Sequence, residues 1–130
     1  MVDLGVLILR VSVGIVMVAH GLPKIFWKRR LFDKKWRQEY GFPQGSVLLT
    51  GIVQVAGGGA IIVGVFTQFS ALILALNMVV ATYISIWNHH EPFLTTPEGK
   101  GWDINFLLIG TLVMLILLGD SRWSLSGWIF

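Results

Sequence analysis

A few polar side chains interrupt otherwise apolar sequence, and their spacing points to one patch that could handle a carbonyl group or a proton. His20 precedes Lys24 by one helical turn, and Gln54 falls at a comparable depth in a second apolar segment. Asp103 and Asn105 open the last apolar segment, while His89, His90 and Glu91 follow the segment before it. Quinone carbonyls accept hydrogen bonds and take up protons on reduction. A donor such as His20 or Gln54, with Lys24 stabilising negative charge, would suit that task. Asn77 stands deeper and reads as an interhelical hydrogen bond rather than a ligand contact.

Other chemistries are less well served. A b-type haem needs an axial ligand, and only three histidines are present. Adjacent side chains in His89-His90-Glu91 cannot share one helix face, so no metal site is assigned there. Cysteine is absent, which removes thiolate redox chemistry, disulfides and Cys-ligated clusters. Phosphate-binding glycine loops, hydrolase elbows and paired hydrolytic carboxylates are missing, and no catalytic residue is assigned.

The elements that must carry these residues belong in a bilayer. Hydrophobic residues make up 55% of the 130-residue chain and charged residues only 13%, against about 25% charged in soluble domains. Mean hydropathy is +0.74. No Asp, Glu, Lys or Arg occurs between Glu39 and Glu91. With roughly 20 apolar residues needed per span, four spans are expected at about 4–27, 47–66, 69–87 and 102–119. Ser46 is the expected N-cap of the second, and Thr67-Gln68 the polar break of a tight hairpin before the third. The fold class is all-α: an integral membrane four-helix bundle of up-down topology forming a single domain over 1–130, with a short interfacial amphipathic segment after the first span. The N-terminus lacks a basic region and cleavage site, so the first span is expected to be retained.

Ten Lys and Arg against seven Asp and Glu give a net charge of +3. Six of the basic residues lie in loop 28–39, which places that loop in the cytoplasm and both termini opposite, in a prokaryotic cytoplasmic membrane. Trp27, Trp87 and Trp102 should lie at the loop's interface and Trp123 and Trp128 at the other. Phe32, Trp36 and Tyr40 recur every four residues among the charges, as in a helix lying in the headgroup region. Topology accounts for this charge, so nucleic acid is not an expected partner.

Within the spans, Arg10, Gly14, Met17, Gly21 and Lys24 form one seam expected to face the bundle interior. Arg10 is an intramembrane charge. It either snorkels to the interface or takes an interior partner, Asp3 and Asp120 being the nearest acidic residues. Ala56, Gly57, Gly58, Ala60 and Gly64 of the glycine-rich second span are expected to pack against neighbouring helices, with Ala56, Ala60 and Gly64 sharing one face.

The residues also resemble a known family. His20-Gly21-Leu22-Pro23-Lys24 is similar to the HGxxK signature of the DoxX family, and Gln54-Val55-Ala56-Gly57-Gly58 leading to Gly64-Val65-Phe66-Thr67 resembles its glycine-rich second span. Gly101-Trp102-Asp103 and Gly119 through Trp123-Ser124-Leu125 look similar as well. The resemblance implies a small four-helix membrane protein related to the membrane part of a thiosulfate:quinone oxidoreductase. The family often has Glu where Gln54 stands and Asp where Ser126 stands. Losing the carboxylate at Gln54 removes the obvious intramembrane proton carrier and favours binding or assembly over independent catalysis. The expected function is a membrane subunit associated with quinone-linked redox machinery. The competing expectation is a non-catalytic subunit that packs inside a larger respiratory or photosynthetic assembly.

Overall fold

The structure is a computed structural model and describes residues 2–26, 29–42 and 45–119. Five helices follow one another: α1 (Val2–Ile25), α2 (Arg29–Tyr40), α3 (Ser46–Val63), α4 (Thr67–Trp87) and α5 (Asp103–Leu118). No strand occurs among the described residues, only an isolated bridge between Thr96 and Gly99. Helices α1, α3 and α4 are long and apolar enough to cross a membrane. α5 has 16 residues, about 24 Å of helix, and is the short member of the set.

Each boundary has a local cause. Gly45, with φ of 92°, precedes α3, so the N-cap is this glycine and the expected cap Ser46 is already the first helical residue. At the other end Gly64 adopts φ of 80°, and its N–H and that of Val65 both bond to Ala60 O at 2.8 and 2.9 Å. This left-handed glycine ends the helix. The break therefore spans Gly64 to Phe66, earlier than the expected Thr67-Gln68, and Thr67 is fully buried in the first turn of α4. Polar character at Thr67 and Gln68 marks the turn's neighbourhood, whereas backbone conformation at Gly64 fixes its position.

α1 packs most extensively on α3, and α4 on α5. A buried core of Val6, Val13, Met17, Ile61, Leu74, Met78, Leu108, Leu112 and Leu115 joins the four apolar helices. The α1–α3 contact is built on glycine. A Cβ added to Gly14 would lie 2.7 Å from Gly58 O, and one added to Gly58 would lie 2.8 Å from Gly14 O. Gly21 and Gly51 repeat the relationship at 2.8 and 3.0 Å. Both pairs are seven residues apart, two helical turns, so the backbones touch twice along one antiparallel seam.

This seam corrects the expected packing face of α3. Ala56 is exposed, Gly64 is the helix cap, and a Cβ added to Gly59 would meet no described atom within 4 Å. Gly57 faces Leu74 of α4 instead. Four-residue spacing from Ala56 thus traces a line turned away from α1. The close approach uses Gly51 and Gly58, the second of them among the residues expected to pack, while Ala60 is half-buried on the other side of the helix.

Candidate polar site

The second glycine contact positions the polar residues. Absent side chains at Gly21 and Gly51 let the α1 and α3 backbones meet. A Cβ on Gly21 would lie 3.0 Å from Gln54 Cβ, and one on Gly51 would lie 3.0 Å from Lys24 Cβ. Lys24 and Gln54 are held side by side as a consequence. Lys24 Nζ donates to Gln54 Oε1 at 3.0 Å and to His20 O at 3.0 Å. Gln54 Nε2 in turn donates to Asn77 Oδ1 of α4 at 3.0 Å. Three helices are linked by one directed line, Lys24 to Gln54 to Asn77, in which every donor points away from the ammonium group.

The line runs inward from a helix end. Lys24 is in the last turn of α1, and Gln54 lies eight residues into α3, about 12 Å from its start. Asn77 is ten residues from the end of α4, about 15 Å deep. Gln54 is 4% exposed, and such a buried amide needs partners for both of its ends. It has them in Lys24 and Asn77. Among the described residues the amide nitrogen of Asn77 donates to no group, so the line ends on an unused donor. Phe32 of α2 covers the outer end, its ring centroid 5.7 Å from Lys24 Nζ.

The other sequence candidates are distributed differently. His20 joins the line only through its backbone carbonyl. Its Nδ1 lies 2.8 Å from Val16 O, one turn back, and since a carbonyl can only accept, Nδ1 carries a proton. Nε2 is left facing outward on an exposed imidazole. Asp103 is engaged with its own loop: Oδ1 accepts from Thr95 Oγ1 at 2.6 Å and from the Ile104 N–H at 2.9 Å, and Oδ2 accepts from the Thr95 N–H at 3.1 Å. Asn105 is buried on α5. His89 and His90 are exposed beyond the end of α4. Asn77 makes the interhelical hydrogen bond expected of it, and the partner is Gln54. That pairing has a signal in the sequence, because Gln54 and Asn77 each stand eleven residues from the Val65-Phe66 pair at the turn.

Arg10 serves the opposite end of the molecule. It is 1% exposed, so it does not snorkel. Nε donates to Ile61 O at 3.0 Å and Nη2 to Ile62 O at 3.1 Å. These carbonyls belong to the last turn of α3, whose acceptors have no helical donors ahead of them. A guanidinium satisfies two of them at the negative end of the helix dipole. Gln68 does the same for α5, donating from Nε2 to Ile116 O at 2.6 Å. Asp120, the alternative partner for Arg10, lies outside the described residues, as do Trp27, Trp123, Ser126 and Trp128.

Long apolar helices, a glycine-built backbone contact and a hydrogen-bonded line of Lys, Gln and Asn between helices define an all-helical integral membrane protein with one polar line through an apolar interior. The DoxX family model matches residues 5–87, which takes in most of α1 and all of α2 to α4. The chain belongs to the DoxX family. It is 25% identical over 132 aligned positions to the uncharacterized membrane protein Rv3486 of Mycobacterium tuberculosis, covering 94% of this chain and 79% of that one. It is also 25% identical over 128 positions to a Bacillus subtilis protein named "Putative oxidoreductase CatD", covering 98% of this chain and 89% of that one. No solved structure shows a significant match.

Proposed function

We propose that this protein is a membrane subunit of quinone-linked redox machinery and that the Lys24–Gln54–Asn77 line is where it meets the quinone. The observation that carries the reading is the unused amide donor of Asn77 at the inner end of a line that starts on a cation. A quinone headgroup has two carbonyl acceptors and suits such a donor. When bound, it supplies the electron-accepting chemistry, which nothing in the chain's own side chains provides. Asn77 would hold one carbonyl, Gln54 would fix the orientation of Asn77, and Lys24 would favour negative charge near the line. The name carried by the Bacillus subtilis relative supports a redox setting and nothing narrower.

The same reading takes α5 as a fourth span, giving an up-down four-helix domain with α2 on the cytoplasmic side. Supporting it are the five basic residues of α2 and the shared interior of all four apolar helices. A photoreactive quinone added to the purified protein should label peptides containing Asn77 or Gln54. Labelling confined to α2 or to the loop before α5 would contradict the assignment.

A non-catalytic assembly role has one observation in its favour. Ala56 and Gly59 face outward on α3, with open space beside Gly59 among the described residues. Because Gly51 and Gly58 are already used internally, a partner helix packing on small residues of α3 would dock on this outer line.

A further inference from the structure

The chain's charge is concentrated in one element. α2 carries Arg29, Arg30, Lys34, Lys35 and Arg37 against Asp33 and Glu39, a balance of +3, which equals the +3 of the whole sequence. Everything outside α2 therefore sums to zero. Within α2, the cations are not spread evenly. Arg30, Lys34 and Arg37 recur at four and three residues, and so share one face. With Asp33 and Gln38 they line a shallow cleft of about 260 Å³.

The opposite side of α2 is committed. Phe32 covers Lys24 of α1, and Trp36 packs edge-on against Phe42 with centroids 5.7 Å apart. Both rings are half-buried, so α2 is docked on the bundle by its aromatic side. Arg30, Lys34 and Arg37 remain exposed. A helix fixed this way against the ends of α1 and α3 holds its cations at the level where the apolar helices stop, which is where phospholipid phosphates lie.

We infer that the Arg30–Lys34–Arg37 cleft of α2 binds the phosphate of an anionic phospholipid headgroup. Three cations against the single carboxylate of Asp33 give the cleft a net positive charge, and two guanidinium groups supply paired donors for phosphate oxygens. The acyl chains would follow the exposed apolar surface at the end of α1 and the start of α3, where Phe26, just past α1, and Leu49 are 67% and 65% exposed. This surface is independent of the quinone reading, since none of the cleft residues touches the Lys24–Gln54–Asn77 line.

The test compares two variants that remove equal charge from exposed positions of α2. Arg30→Gln/Arg37→Gln empties the cleft, and Arg29→Gln/Lys35→Gln removes two cations outside it. The full-length protein in a neutral detergent is titrated with short-chain phosphatidylglycerol or phosphatidylcholine, and bound lipid is counted by native mass spectrometry. The cleft variant should lose about 30-fold in phosphatidylglycerol affinity, from two lost guanidinium–phosphate contacts at roughly one kcal/mol each. The second variant should stay within about threefold of the native protein, because its cations do not contact the phosphate. Lys34→Gln alone should show an intermediate loss. Equal losses in both double variants would overturn the proposal in favour of diffuse attraction. Failure to prefer phosphatidylglycerol over phosphatidylcholine would also overturn it and leave the cleft to an acidic protein partner.

Discussion

Gly14 of α1 and Gly58 of α3 face each other so closely that a methyl group on either would stand within 2.8 Å of the other's carbonyl oxygen. Neighbouring Gly59 has no described atom within 4 Å of the same position. Consecutive glycines in one helix should therefore respond oppositely to alanine. Gly58→Ala forces the backbones apart and should lower stability by about 1–3 kcal/mol. Gly59→Ala should be neutral or stabilising by up to about 1 kcal/mol, through helix propensity alone. Thermal unfolding in detergent distinguishes them, and equal effects would contradict the seam.

Arg10 is buried and bonds two carbonyls at the end of α3. Arg10→Met should leave both acceptors without those bonds, at about 1–3 kcal/mol for each. Arg10→Lys keeps the charge but replaces a planar fork with a single ammonium point, so it should recover only part of the loss. Hydrogen exchange should report the damage at Gly64 and Val65, whose amides define the adjoining turn. An Arg10→Met protein with native melting behaviour would remove the capping role.

Gln54 is both acceptor and donor in the line. Gln54→Leu leaves the Lys24 ammonium with only His20 O as acceptor among the described residues and takes the donor from Asn77 Oδ1. It should destabilise the protein by about 1–3 kcal/mol. Gln54→Glu should be milder. A carboxylate still accepts from Lys24, and the Asn77 amide can turn to present its donor instead of its oxygen. The predicted order of melting temperature is native protein and Gln54→Glu together, then Gln54→Leu. A Gln54→Leu protein as stable as the native one would show that Lys24 does not depend on this partner.

The loop before α5 is stapled by Asp103 and Thr95, and Thr95 Oγ1 also accepts from the Gly101 N–H at 3.0 Å. Thr95→Val removes the hydroxyl from both bonds while keeping the shape. Amide exchange at Gly101 and Ile104 should accelerate, with α4 unaffected. Unchanged protection at both amides would mean that the loop is held by other contacts.

The apolar helices, the basic amphipathic α2 and the interior seam Arg10-Gly14-Met17-Gly21 are legible in the sequence, because hydropathy and periodicity act directly on helix burial. His20 and Gln54 can be matched by depth, with Lys24 one turn from His20. Two things are not legible. Which line of a glycine-rich helix meets a neighbour depends on the rotation of that helix, and the small-residue pattern of α3 offers several lines, of which Ala56-Ala60-Gly64 is the wrong one. Polar partners on distant elements are also hidden. Asp103 could have faced Lys24, but local chain geometry gives it Thr95, eight residues away.

Presentation of a donor by Asn77 to a quinone carbonyl is tested most directly by a dissociation constant. A water-soluble quinone is titrated against the full-length protein in nanodiscs, comparing the native protein with Asn77→Leu and Asn77→Asp. Loss of one hydrogen bond should weaken binding by about tenfold in Asn77→Leu. Asn77→Asp, an acceptor only when ionised, should weaken it at least as much at neutral pH and regain affinity as the pH falls and the acid becomes a donor. Measurable quinone binding that is the same in all three proteins would contradict this role for Asn77, as would no binding by the native chain.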